Sequence, residues 1–200
     1  MSTDTSVQWS LLAGLPDWLL LPVDTNDRAQ WRLDAGRALA AIADIDEELR
    51  SDPDCLRPGA PLDIDDAIAS LLDFAAALPQ GQRLVAGLTI PGRWPLPVIV
   101  DVRPTGDDPQ DLLAAAGARG GFESTQVIGR DLREETGTGI RVTRFDLDDD
   151  GALRSTVRCA RRQDGSDTVL TWSTVDLELV TPFIPHLDRL LGLVRIGRVR

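Results

Sequence analysis

The chain has 200 residues, of which 42% are hydrophobic and 26% charged, as in an ordinary soluble globular domain. Its net charge of −11 argues against nucleic acid or an anionic membrane as a partner. No apolar run approaches the roughly 18 residues of a membrane span, and no positively charged leader precedes Leu19–Leu21. The sequence therefore predicts a cytoplasmic protein.

The opening residues 7–24 contain two short apolar runs around a Gly-Leu-Pro turn, which predicts a hairpin or a strand-turn-strand lead-in. Residues 27–50 follow a helical period, and their apolar positions recur at spacings of three and four. These positions are Trp31, Ala35, Ala38, Ile42, Ile45 and Leu49. A second helix is predicted over 64–78, with Asp63 as its N-cap.

Beyond this helical segment (27–80), the pattern changes to strands. Alternating apolar and polar residues predict six strands, separated by turns rich in Gly and Asp. A short helix is predicted to begin near residues 107–109 and to end at Gly117, and an amphipathic helix that begins at Thr181–Pro182 closes the chain. The predicted strands lie at 82–90, 95–103, 125–132, 140–147, 152–162 and 168–180.

This order of elements predicts the α+β class: a mainly antiparallel sheet covered by helices, similar to an α/β/α sandwich, with a two-helix N-terminal segment. We expect one domain over 1–200, in which residues 83–200 form the sheet-rich part.

Few residues of the chain are typical of catalytic or metal sites. Cys55 and Cys159 are predicted to be free thiols, because a secreted disulfide framework would use more cysteines. A zinc-type site needs several Cys or His ligands, and the only histidine, His186, is predicted on the last helix as a surface or boundary residue. No cofactor is expected from these residues.

One stretch, residues 120–140, resembles the phosphate-and-magnesium box of the Nudix hydrolases. Gly117 and Glu123 have the family's first spacing, and the run from Arg130 to Gly137 fits its second part with an Asp in place of a Glu. On a helix the acids would cluster at i, i+3 and i+4, as oxygen ligands for Mg²⁺. The resemblance implies a Mg²⁺-dependent pyrophosphohydrolase of nucleoside diphosphate derivatives that uses Glu123, Asp131, Glu134 and Glu135.

Three observations favour a strand hairpin over a catalytic helix here. One residue is missing between Glu123 and Arg130, which rotates Glu123 by about 100° on a helix. Gly129 would lie inside the helix at a cost of about 1 kcal/mol. The apolar residues near Val127 make a poor helical stripe. We therefore predict that residues 125–146 are extended and fold back, with the acids in an exposed turn.

A second resemblance covers most of the chain. The segments "GLPDWLLLPVD", "GTGIRVTRF" and "TVLTWSTVDLELVTPFIPHLDRLLGLVRI" are similar to a PsbP-like α/β/α sandwich family of actinobacterial proteins. That family provides no catalytic residue to compare, and the resemblance implies a binding or assembly factor.

The main hypothesis is therefore a non-enzymatic protein-binding module: an adaptor, a chaperone or an immunity-like binder. Residues 1–80 hold fifteen acids and five arginines, and this negative charge could attract a basic partner. Arg154, Arg158 and Arg162 are candidates for contact with an acidic surface, although such arrays more often form weak ion pairs with neighbours, here Asp146–Asp150 or Glu178. The Mg²⁺-dependent hydrolase is the alternative.

Overall fold

The computed structural model describes residues 9–11, 17–49, 63–90, 93, 95–105, 110–117, 122–128 and 139–197. Two short 3-10 helices, Thr25–Asp27 and Leu177–Leu179, accompany the main elements of this part of the chain. In chain order the main elements are β1 (Trp9–Leu11), β2 (Trp18–Leu20), α1 (Arg28–Leu49), α2 (Ile64–Ala77), β3 (Gln82–Gly87), β4 (Leu96–Pro104), α3 (Gln110–Ala115), β5 (Phe122–Ile128), β6 (Gly139–Leu147), β7 (Leu153–Gln163), β8 (Ser166–Thr174), α4 (Val180–Leu193) and β9 (Val194–Ile196).

The contacts between residues divide the chain into two compact units. We call Gly14–Val98 the helical unit, and Met1–Ala13 together with Ile99–Arg200 the sheet unit. That the whole chain acts as a single domain stays a prediction of the sequence.

The helical unit contains the two N-terminal helices that the sequence predicts. Helix α2 begins as expected, since the Asp63 side chain accepts a hydrogen bond from the Asp66 N–H at 3.1 Å and so caps the first turn. The apolar stripe of α1 packs on α2 around Ala35, Leu39 and Ile68. Near this core the Trp31 indole N–H donates to the Leu20 carbonyl at 2.9 Å.

Two strands of the helical unit pair antiparallel: β2 with β3, in the register Leu19 to Ala86. The buried residues Leu84, Val85 and Ala86 of β3 form a continuous apolar run, as expected of a strand buried on both sides. Within the described ranges, no helix combines the length and the apolar character that a membrane crossing requires.

In the sheet unit, the strand order is β4-β8-β7-β6-β5, and every neighbouring pair is antiparallel. The turn between β7 and β8 is Asp164–Gly165, with φ of 50° and 74°. Positive φ at both positions is typical of the two-residue turns that join twisted strands. The turn between β6 and β7 is closed by the Asp148 side chain, which accepts from the N–H of Ala152 at 2.8 Å.

Each face of this sheet is covered by a helix. Alternate residues of β7 point to opposite sides. On one side, Val157 and Cys159 are buried beneath α4, where Trp172 of β8 meets Phe183 with ring centroids 4.8 Å apart. We call this side the α4 face. On the other side, the α3 face, Ala160 and Val142 pack with Ala116, which directly follows α3.

The observed class is α+β, with a mainly antiparallel sheet and helices on both faces of the sheet unit, as the sequence predicts. The predicted fold-back is confirmed in its described part, because β5 pairs antiparallel with β6 from Phe122–Phe145 to Ile128–Gly139. Residues 129–138, which connect these strands, lie outside the described residues.

Three details differ from the sequence-based predictions. Of the two arrangements predicted for the opening strands, the hairpin is not formed, because β1 pairs with β9 and β2 pairs with β3. The strand predicted over 168–180 ends at Thr174, where the Thr174 hydroxyl accepts from the Asp176 N–H at 3.0 Å and starts a local turn. The last helix, predicted to close the chain, ends at Leu193 and is followed by β9 from Val194.

Candidate functional site

The structure describes only one of the four acidic residues of the Nudix-like stretch. Glu123 belongs to strand β5 and is paired in register with Arg144. Asp131, Glu134 and Glu135 lie outside the described residues, so a magnesium site there stays a prediction. Among the described residues, no group of three or more His, Cys, Asp or Glu side chains is arranged to hold a metal ion.

Two of the three candidate arginines are held by neighbouring carboxylates. Arg154 approaches Asp148 at 3.5 Å, within the acidic run that the sequence suggests as its partner. Arg162 donates two hydrogen bonds to Asp167, at 2.7 and 2.9 Å, and this carboxylate is only 2% exposed. In ion pairs and bidentate hydrogen bonds of this kind, the guanidinium donates to carboxylates of the same chain. Arg154 and Arg162 therefore form ion pairs within the fold.

The third candidate, Arg158, differs from both. It is half-buried on the α3 face, and no hydrogen bond or ion pair to it is formed by any residue in the described ranges. Its guanidinium lies against Gly117, whose φ is +78°. A Cβ added at Gly117 would be 2.4 Å from Arg158 Nη1, so only glycine permits this close approach.

Arg158 lines a cleft of about 160 Å³ on the α3 face, which we call the arginine cleft. One wall is apolar and is formed by Ala116 and Val142, which belong to the buried cluster under α3. The complete lining consists of Ala116, Gly117, Val142, Arg144, Asp146, Thr156 and Arg158.

The polar wall of the arginine cleft is partly self-paired. Arg144 Nε donates to both oxygens of Asp146, at 3.1 and 2.8 Å, and this pair is electrically neutral. The Thr156 hydroxyl is 2.9 Å from the Ser173 hydroxyl. Since the charges of Arg144 and Asp146 cancel, Arg158 leaves the lining with a net charge of +1.

On the α4 face, three polar side chains are linked by hydrogen bonds. The Asp188 carboxylate accepts hydrogen bonds from Arg141 and from the Cys159 thiol, the latter at 3.5 Å. Burial raises the pKa of the Cys159 thiol well above its usual range, and the nearby negative charge of Asp188 adds to this, while Arg141 opposes it. A thiol held protonated in this way is a poor nucleophile.

Arg161 lies on the α4 face, and not beside Arg158 and Arg162. It is 1% exposed, and its Nη2 donates to the Val194 carbonyl at 3.0 Å. Its Nε and Nη1 have no hydrogen-bond partner in the part of the chain that the structure describes. Burial, and then the charge of Arg195, lower the pKa of Arg161. His186 lies on α4 as predicted, stacked on Phe183 at 6.2 Å.

A second surface lies at one end of the sheet, where β6 ends and β7 begins. Leu147 and Leu153 are paired in register there, and they are 71% and 45% exposed. Strand β8 ends beside them, since Thr174 pairs with Ser155, and the next residue, Val175, is 55% exposed. We call the four exposed apolar residues at this end the hairpin-end surface: Leu147, Leu153, Val175 and Leu177.

Acidic side chains border the hairpin-end surface. Asp149 and Asp150 are exposed at the tip of the β6–β7 turn, and Glu178 is exposed beside Leu177. Asp148 in the same turn is used internally, because it accepts backbone hydrogen bonds and contacts Arg154. Exposed acidic side chains thus lie close in the chain to the exposed apolar residues.

Sequence reasoning missed both surfaces. Leu153 shares one side of β7 with the buried Ser155 and Val157, but it lies at the end of the strand and stays exposed. The leucines on each side of the acidic turn, Leu147 and Leu153, were the feature of the sequence that could have indicated the hairpin-end surface. The contact between Gly117 and Arg158 joins distant parts of the chain and had no local signal.

No family model of known proteins matches this chain, and no curated protein matches it either.

Proposed function

We propose that this chain is a cytoplasmic, non-enzymatic protein-interaction module that binds a basic partner at the hairpin-end surface. The observation that carries the proposal is the group of exposed apolar side chains at that end, of which Leu147 is 71% and Val175 is 55% exposed. Clusters of exposed apolar residues with a polar rim mark sites of protein association.

The charge of the surface selects the kind of partner. Asp149, Asp150 and Glu178 are exposed near the apolar residues in the chain, and the chain as a whole carries −11. A complementary partner presents apolar side chains among lysines and arginines, and its approach is accelerated by the opposite charge. The PsbP-like resemblance of the sequence supports the same class, because it implies a binding or assembly factor of the adaptor or chaperone kind.

A site-specific photocrosslinker tests this proposal in cells of the source organism. We expect a photoreactive residue in place of Leu147 to crosslink a partner with a basic contact surface. The matched control is Leu33, which is also exposed but belongs to α1 of the helical unit. Equal crosslinking from both positions, or none from Leu147, would contradict the proposal.

The charge requirement is tested with the purified partner. The Asp149→Asn/Asp150→Asn double variant should slow association several-fold at low salt, since rim charges act mainly on the association rate. An Asp65→Asn/Asp73→Asn variant removes the same charge from exposed positions on α2 and should leave the rate nearly unchanged. The same slowing by both variants would mean that net charge, and not this surface, attracts the partner.

A further inference from the structure

The arginine cleft contains a charge that the fold does not neutralise. On the α3 face, Arg144, Arg154 and Arg162 each have a carboxylate within ion-pair distance. Arg158 has none among the described residues, although it is half-buried and lies in a concave part of the surface. A partly desolvated guanidinium without a counter-ion favours the binding of an anion.

The observed position of the Arg158 guanidinium depends on Gly117. Gly117, at φ +78°, leaves room for the guanidinium at a point where any Cβ would be 2.4 Å from Nη1. The guanidinium therefore reaches the cleft because Gly117 has no side chain.

The lining indicates the charge of the anion. Arg144 and Asp146 form a neutral pair, so one negative charge balances Arg158. A dianion such as phosphate would bring excess negative charge near the Asp146 carboxylate, and like charges at short range repel. A carboxylate carries one charge, and its two oxygens match the planar fork of a guanidinium.

The other contacts indicate the shape of the molecule. Ser173 can donate to the Thr156 hydroxyl, which leaves the hydrogen of Thr156 free to donate into the cleft. Ala116 and Val142 also line the cleft, and they provide apolar contacts for a short alkyl group. The volume of about 160 Å³ suits a small molecule and not a peptide.

We propose that the arginine cleft binds a short-chain monocarboxylate, with Arg158 and Thr156 donating to the carboxylate and Ala116 and Val142 contacting the alkyl group. This site goes beyond the proposed function and does not depend on it, because the hairpin-end surface is formed by other side chains.

The test is an NMR titration of the full chain with butyrate, at constant ionic strength maintained with chloride. We expect saturable shifts of the Arg158 Nε–H and the Gly117 amide. Butanol has a similar alkyl group without the charge, and phosphate has more charge without the alkyl group. Both should bind more weakly than butyrate. Equal or tighter binding of either, or shifts that do not saturate with butyrate, would overturn the proposal.

Variants assign the binding to Arg158. Arg158→Gln should weaken butyrate binding about tenfold or more, because it removes a hydrogen bond to a charged group. Arg154→Gln is the matched control, because Arg154 lies on the same side of the same strand but does not line the cleft. The butyrate affinity of this variant should stay within about twofold of that of the unchanged chain. An equal loss of butyrate affinity in both variants would contradict the assignment of the binding to Arg158.

A second variant provides an independent test if Arg158→Gln does not fold. Gly117→Ala retains the charge but pushes the guanidinium away from its observed position. It should weaken butyrate binding several-fold, while Gly151→Ala, at the same φ of +78° with open space around it, should not. Unchanged affinity in Gly117→Ala would show that the observed position of Arg158 does not matter, and would overturn the proposal.

Discussion

The α4 face and the α3 face of the sheet unit receive alternate side chains from the same strands, yet they differ in how they are covered. Helix α4 has 14 residues and buries Phe183, Leu187 and Leu190 against the sheet. Helix α3 has six residues and buries a smaller cluster around Ala116. The longer helix covers the middle of its face around Val157 and Cys159, and a cleft lies beside the shorter one.

This difference determines what the polar groups on each face can do. The Cys159 thiol and the Asp188 carboxylate on the α4 face bond to each other and to Arg141, so their chemistry is satisfied internally. On the α3 face, Arg158 has no such partner in the described part of the chain and lies in the cleft. The comparison shows that one strand can supply both a structural and an accessible polar group, depending on the length of the covering helix.

The largest expected effect tests whether the α4 face carries most of the stability. Phe183 is fully buried against Trp172, so Phe183→Ala should lower the free energy of unfolding by about 3–5 kcal/mol. Leu113 is half-buried under the α3 face, and Leu113→Ala should cost only about 1 kcal/mol. Chemical denaturation measures both. Similar losses of stability would mean that the two helices stabilise the fold equally, and would contradict the claim that the α4 face carries most of the stability.

The next effect is a pH dependence that the α4 face alone should produce. The pKa of Cys159 in the folded chain lies well above that of an exposed thiol, first because of burial and then because of Asp188. The folded state therefore keeps this proton when the unfolded state has lost it. Stability should be complete below the ordinary thiol pKa of about 8.5, and should fall above it by up to about 1.4 kcal/mol per pH unit until the folded thiol itself ionises.

The sequence makes this measurement unusually clean, because the chain contains neither lysine nor tyrosine to titrate in the same range. Denaturation is measured between pH 8 and 10 in a Cys55→Ser background, so that Cys159 is the one thiol present. The additional substitution Cys159→Ser is the control, and it should remove most of the slope. If the slope remains in the control, the alkaline loss arises elsewhere and the pKa argument fails.

The smallest effect concerns the contact that shapes the α3 face. Gly117→Ala and Gly151→Ala both place a side chain at φ +78°, and each should cost about 1–2 kcal/mol of stability. The additional clash at Gly117 meets the flexible end of Arg158, which can move at little cost in energy. The two losses should therefore agree within about 0.5 kcal/mol, while the NMR signal of Arg158 Nε–H shifts in Gly117→Ala alone. A much larger loss at Gly117 would mean that Arg158 cannot move.

Much of the fold could be predicted from the sequence where the signal is local. The spacing of three and four residues identified α1 and α2, and an acid before an apolar run identified the Asp63 cap, since capping needs only neighbouring residues. The Asp164–Gly165 turn is similarly local, because these residue types tolerate positive φ. The strand ending at Thr174 was missed, since a polar side chain there competes with the ladder for backbone hydrogen bonds.

The pairing of the short strands could not be predicted in the same way. Adjacent short strands favour a hairpin, yet β1 pairs with β9 from the far end of the chain. Three-residue strands carry too few side chains to specify a partner by pattern, so long-range packing decides it.

The sequence by itself determined the helices, the alternation of the strands and the tight turns, because each depends on residues within a few positions of one another. Only the tertiary structure decided which arginine of β7 has a carboxylate partner, which leucines remain exposed, and that Gly117 meets Arg158. These outcomes depend on side chains that the fold brings together from distant positions, and on how far each helix extends over the sheet.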